Sequence, residues 1–457
     1  MRLRPELRVP LALGAIIALS VALLFLSATA LAERGVPSPI TNPADFRAFV
    51  CGAQALESKH DPYLTEPLRT CEHADTAAFG LQMFDGLVLP APLAPYALIA
   101  FAPFVAVPFP IASDLWFVLT LAAVGASVVA TVRLTRLPLA LVAPALIGSD
   151  AFVSVALGQI VPFVVLAICL AALAVRAQRF ALAGTVIALA TVEPHLALPA
   201  CAALFVFERR ARRSLAACAL LALAVSLALA GPATCLEYVR DVLPLHALSQ
   251  IDDLHLQFSL TAVLYAFGAG ARASLALGTL SYIAMALAGI RVAGLLARRF
   301  EDGAFLVLLP PAFALLGGAF VHLAQMAVAI PALGLVISYT RARSAARYAA
   351  YAGLIALAIP WASLADGPAL APLLWPHSIA ARHVNLPASD DAAIAERSEI
   401  DFIHAGGYGS DNGPPLVAIS LKVPTWFGLI ALVGLSTALL RRPKAASGRL
   451  PLVRPAA

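Results

Sequence analysis

The strongest constraint on this chain is a succession of apolar runs, many of them roughly 17–25 residues long, separated by short polar stretches or arginine clusters. A helix of that length crosses a hydrocarbon core of about 30 Å. Backbone amides in lipid must be satisfied within the segment, which leaves helices or closed barrels. A barrel strand alternates apolar and polar residues, and these runs are apolar all round, so the barrel is excluded. Hydrophobic residues make up 61% of the chain and charged residues 12%, against about 25% charged in a soluble domain. The sequence predicts an all-α polytopic integral membrane protein, a bundle of about 10–13 transmembrane helices with large extracytoplasmic loops. The net charge of +5 does not mark a nucleic-acid partner, because the basic residues cluster at run ends, as in Arg209, Arg210, Arg212 and Arg213, where they set topology. The partners such a surface implies are membrane lipids.

Arg2, Arg4 and Arg8 precede an apolar run that is too long for a signal-peptide core of roughly 7–15 residues. It reads as an uncleaved first helix over about 11–32, with a cytoplasmic N-terminus. The polar stretches at about 33–88, 231–257 and 365–420 then fall outside the cell membrane. Residues 1–442 read as one transmembrane domain, and the basic tail 443–457 as a disordered cytoplasmic extension. A proline-rich entry at 90–96 leads into a helix expected to cross as far as Pro108. Residues 138–157 split at Gly148-Ser149-Asp150, either as one irregular crossing or as a re-entrant pair. With this count Arg133 and Arg136 fall outside, although their charge favours the inside. Residues 181–207, flanked by arginines and broken at Glu193-Pro194-His195, read as two short helices folded back on each other. Of six cysteines, Cys51 and Cys71 lie in the first outer loop, where an oxidising compartment would let them bridge; spacing alone leaves the bridge open.

The polar residues worth weighing for chemistry are few. Asp45, in the first outer loop, is either a general base or a helix N-cap, and the pattern Ala44-Asp45-Phe46-Arg47 favours the cap. His322 lies between two apolar runs, at their predicted outer ends. Glu193, mid-run beside a proline, either lines a cavity or faces cytoplasmic water at a hairpin tip, and the tip is favoured. No nucleotide-binding P-loop, zinc-protease helix or Gly-x-Ser-x-Gly elbow is present, so neither a cofactor nor those chemistries are expected. The first loop lacks an Asp-x-Asp or Glu-x-Asp pair, and no metal is expected there. Asp252-Asp253 and Asp390-Asp391 read as solvated loop acids.

Asp45-Phe46-Arg47, followed by Gly52-Ala53-Gln54-Ala55-Leu56 and Asp61-Pro62-Tyr63, resembles the first loop of glycosyltransferase family 87. The order continues through the proline-rich segment Pro92 to Pro110, Leu157-Gly158-Gln159, Ala183-Gly184 to Pro194, Gln257-Phe258-Ser259-Leu260, Phe320-Val321-His322 and the last helix to Arg441. Glu193 stands where the family usually has lysine, and Phe49-Val50-Cys51 stands where the family tends to be tyrosine-rich. The resemblance implies a GT-C-type enzyme of the bacterial plasma (inner) membrane. Such an enzyme moves a hexose, typically mannose, from a polyprenyl-phosphate donor to a lipid or glycan acceptor, with inversion. It implies Asp45 as the base and His322 beside the donor phosphate. Arg47, Arg240, His246 and Lys422 are further candidates to bind substrate, being on the same predicted side. The competing readings are a flippase or transporter of a lipid-linked sugar and an inactive family member. A transporter usually shows paired similar halves, and none is visible here.

Overall fold

The computed structural model describes residues 9–20, 22, 43–77, 88–249, 251, 257–342, 344–361, 394–404 and 415–441. The far part of the first helix, most of the outer segment 365–420, Asp252-Asp253, Asp390-Asp391 and the tail 443–457 lie outside the described residues. The described residues are helical, with two isolated β-bridges and no strand. Alanine, leucine and valine fill the runs with no polar face, so periodicity is weak and the ends are set by proline, glycine and arginine.

The helices run between two ends of a bundle, one marked by Arg133, Arg176 and Arg299 and the other by Asp45. Helix α1 (Val9–Ser20) lies near the arginine end, with Ile17 in the main core. Helices α2 (Ala44–Glu57) and α3 (Thr65–Ala77) cap the acid end and are stapled by a Cys51–Cys71 disulfide. Helix α4 (Pro95–Val105) is interrupted by a 3₁₀ turn at Ile99–Phe101. Its length of about 16 Å is far short of a crossing, and it lies against α2. The expected second crossing is therefore a cap element, and this correction removes the conflict over Arg133 and Arg136. Helix α5 (Phe109–Thr135) starts at the acid end and stops at Arg136, whose φ of 57° ends it in a left-handed turn. Arg176 Nη1 then donates to Leu134 O at 2.5 Å, so all these arginines share one end.

Residues 139–157 form one irregular helix, α6, with a π-turn over Ile147–Ala151, and no re-entrant pair. Helix α7 (Val161–Arg176) returns to the arginine end. Helices α8 (Phe180–Val192) and α9 (Pro194–Phe207) are the expected hairpin. Helix α10 (Arg209–Ser249) stays helical past 231, where a loop was expected. It kinks at Gly231, whose φ of 79° only glycine adopts cheaply, next to Pro232. A short helix α11 (Leu260–Ala266) precedes α12 (Ala271–Phe300). Helices α13 (Ala304–Leu316) and α14 (Leu323–Tyr339) make a second hairpin, and α15 (Ala345–Ala358), α16 (Ala395–His404) and α17 (Pro415–Arg441) complete the order.

Among the described residues, four helices are long and apolar enough to cross a membrane by themselves: α5, α10, α12 and α17 from Lys422 onward. The two hairpins are different. Both begin and end at the arginine end, and α8 and α13 are each about 20 Å long. Their tips, at Glu193 and at Gly317-Gly318, therefore stop inside the bundle, short of a bilayer's full depth of about 30 Å.

Candidate active site

The site is assembled at those two tips and under the cap. Pro43 occupies the N-cap of α2 and Asp45 sits in the first turn without capping it, so the cap reading of Asp45 is corrected. Phe46 anchors this turn. It is fully buried and stacks on Trp116 at 4.9 Å, with Phe104 edge-on at 5.2 Å. Gly158 ends α6 beneath it with φ of 73°, and a Cβ there would stand 2.6 Å from Phe46 Cβ and 2.8 Å from Pro43 Cβ. Trp116 Nε1 donates to Gly158 O at 2.9 Å. This close approach brings the next residue, Gln159, to Asp45, and Gln159 Nε2 donates to Asp45 Oδ2. Burial pushes the Asp45 carboxyl up to about 7, against the opposing pull of the Arg47 charge and the Gln159 hydrogen bond.

Glu193 is on the same side as Asp45. Val192 packs in the cluster that holds Phe46 and Ile160, and the Glu193 and Asp45 carboxylates interact electrostatically. The expectation that Glu193 faces cytoplasmic water is thus overturned. The arginines sit at the open ends of its hairpin, and the tip points the other way. Glu193 Oε2 lies 3.4 Å from His195 Nδ1, and Tyr282 Oη donates to His195 O at 2.9 Å. The Tyr96 hydroxyl holds the preceding turn through Thr191 O at 2.6 Å.

The second tip carries the histidine group. The rings of His195, His246 and His322 lie 6.2, 4.7 and 4.6 Å from the centre of Phe320. His322 N donates to Gln325 Oε1 at 3.0 Å, and Gln325 also meets the His195 ring. Gln257 bridges to His322 Nε2 at 3.0 Å, and the two residues form a β-bridge. Lys422, buried at the start of the apolar part of α17, donates from Nζ to Gln257 O and stands 4.9 Å from the Phe258 ring centre. Lys422 and His322 interact electrostatically. A carboxylate able to take a proton thus shares one end of the bundle with imidazoles and an ammonium able to receive an anion.

Arg47 and Arg240 are placed differently from the histidine group. Arg47 is buried and acts electrostatically on Asp45, Glu72 and Asp75. Burial raises Glu72 to about 8 and Asp75 to about 6, with Arg47 lowering both. Arg240 is 71% exposed and pairs with Asp241 at 3.0 Å on a π-turn of α10. Asp61-Pro62-Tyr63 is structural: Asp61 accepts from Tyr63 N and Thr234 Oγ1, and Tyr63 Oη donates to Leu93 O. Cys51, Cys71 and Asp75 are the described trio with metal-ligand spacing, but the disulfide removes the thiolates that a metal would need. Sequence reasoning did not single out Gln159, His195, Gln257 or Gln325 as site residues. Gln159 and Gln257 lay within the recognised motifs, and His195 beside the proline break.

Fold and site together define a class: a polytopic α-helical membrane protein whose buried polar groups converge at one end of an apolar bundle. The glycosyltransferase family 87 model matches residues 94–324, slightly more than half of the chain, and the chain belongs to that family of membrane glycosyltransferases. No curated protein and no solved structure matches it. The matched residues include Gln159, Glu193, His195, His246, Gln257 and His322. Asp45 and Lys422 lie outside them and reach the same place through the fold.

Proposed function

We propose that this glycosyltransferase moves a hexose, mannose first among the candidates, from a polyprenyl-phosphate donor to a hydroxyl of a lipid or glycan acceptor. It works as one transmembrane domain at the extracytoplasmic face of a bacterial inner membrane. The supporting observation is the Asp45–Gln159 contact, which fixes a carboxylate from the first loop against the family-matched core. Asp45 takes the acceptor O–H proton as that oxygen attacks the anomeric carbon. The bond from that carbon to the phosphate oxygen breaks, configuration inverts, and polyprenyl phosphate departs. A carboxylate poised near pH 7 suits the proton transfer. His322, His246 and Lys422 receive the charge that develops on the leaving phosphate. The Cys51–Cys71 bridge supports an oxidising compartment for this end, and the arginines support a cytoplasmic position for the other.

The test is transfer of labelled mannose from polyprenyl-phosphomannose in membranes that contain the protein, with the anomeric configuration of the product determined. Transfer with inversion is expected. Transfer from a different polyprenyl-phosphate hexose would correct the sugar. Failure with every such donor, together with protein-dependent movement of the donor across vesicles, would replace the reading with a flippase.

A further inference from the structure

Arg291 stands well inside an apolar helix. It precedes Arg298 by two helical turns on the same face of α12, about 10 Å further from the arginine end. Its neighbours on that face, Leu287 and Leu295, are 61% and 43% exposed, as side chains that meet lipid are. A guanidinium in that company is costly unless it reaches the interface or finds a counter-charge. Among the described residues no carboxylate and no hydrogen-bond acceptor meets Arg291 or Arg298. Arg298 instead lies over the Phe207 ring, 5.6 Å from its centre.

The two arginines line a groove of about 330 Å³ with Phe207, Leu287, Ile290 and Leu295. Its lining contains two positive charges, no acid and otherwise apolar surface. Gly294 makes its floor: a Cβ there would stand 2.3 Å from the Phe207 ring, so glycine lets that ring lie against the helix. The groove is at the end of the bundle opposite Asp45, away from the residues proposed for the transfer reaction.

We propose that this groove binds one anionic membrane phospholipid, its phosphate between Arg291 and Arg298 and an acyl chain along Leu287 and Leu295. The paired forks of two guanidiniums match phosphate oxygens. Basic pockets between membrane helices at an arginine-rich face are where anionic headgroups are held. An anionic phospholipid brings net negative charge to the two guanidiniums, a zwitterionic lipid brings none, and free phosphate would leave the apolar half of the groove unfilled.

The purified protein in detergent is titrated with phosphatidylglycerol, with phosphatidylcholine of the same chains, and with inorganic phosphate, and bound lipid is counted by native mass spectrometry. Phosphatidylglycerol is expected to bind at least about 10-fold more tightly than phosphatidylcholine, one molecule per chain at this site, a gap of about 1.4 kcal/mol. Inorganic phosphate is expected not to compete. The Arg291→Gln, Arg298→Gln double variant should lose the preference while keeping the normal unfolding temperature in phosphatidylcholine. Should the double variant not fold, a photoreactive phosphatidylglycerol on the unaltered protein decides the matter, with adducts expected on Ala271–Phe300. Equal affinity for the two lipids, a preference retained by a folded double variant, competition by free phosphate, or adducts confined to other helices would each overturn the proposal.

Discussion

Two aspartates, Asp302 buried and Asp45 half-buried, sit at opposite ends of the same bundle in opposite circumstances. At the arginine end, Asp302 accepts from Arg176 Nε and Nη2, Tyr339 Oη and the backbone N of Ala304. Burial pushes its carboxyl up, but these partners outweigh burial and hold it below the usual range. At the acid end, Asp45 has a single side-chain donor among the described residues, Gln159, and burial wins. A carboxylate whose acceptor sites are filled holds helices together. One left with open acceptor positions, near its own titration point, remains able to take a proton. The helices differ in the same way. At the arginine end they finish on ion pairs and backbone bonds such as Arg299 Nη1 to Leu440 O at 2.8 Å. At the acid end two hairpins break early and leave polar tips inside the bundle.

The comparison can be broken by substitution. The largest effect is expected from Asp45→Asn, which keeps the Gln159 neighbour but removes the base. Turnover should fall about 10²–10⁴-fold with the unfolding temperature maintained, measured by transfer assay and thermal scan side by side. His322→Ala comes next. Loss of one group that stabilises the leaving phosphate should lower turnover by about 10²-fold, read as a drop in kcat larger than any change in donor KM. Asp302→Asn should do the reverse. Leaving the half-buried Arg176 without its counter-charge should destabilise the fold by about 1–3 kcal/mol, seen in unfolding, while turnover per folded molecule stays within about twofold of normal. The smallest effect sharpens how Asp45 is positioned. Gly158→Ala forces a Cβ into Phe46 at a left-handed φ. It should cost about 1–3 kcal/mol of stability and about 10-fold in turnover by displacing Gln159.

Much of the bundle was legible in the sequence because lipid imposes a simple rule: apolar length gives a crossing and arginine marks an end. The rule failed where length was marginal. The proline-rich stretch before Phe109 was apolar enough to be counted as a crossing, and only its packing on α2 shows it to be part of the cap. Asp45 and His322 were visible as charges near the membrane, and family motifs gave them weight. Their partners were not visible, because the Asp45–Gln159 contact spans 114 residues and the group around Phe320 draws His195, His246 and His322 from three separate segments. The position of Glu193 is not legible, because a charge in an apolar run does not reveal which end of a hairpin it occupies. Arg240 shows in the sequence only as a charge on the same side, and its pairing with Asp241 does not.

The most direct test of the contrast is the pH dependence of transfer. A carboxylate raised to about 7 by burial is the base only above that pH, so kcat/KM should climb about tenfold per pH unit below 7 and level off above it. The residual activity of Asp45→Asn should lack that rising limb. A profile already flat from pH 5 to 8, or a limb that persists unchanged in Asp45→Asn, would contradict the assignment of the proton-accepting role to Asp45.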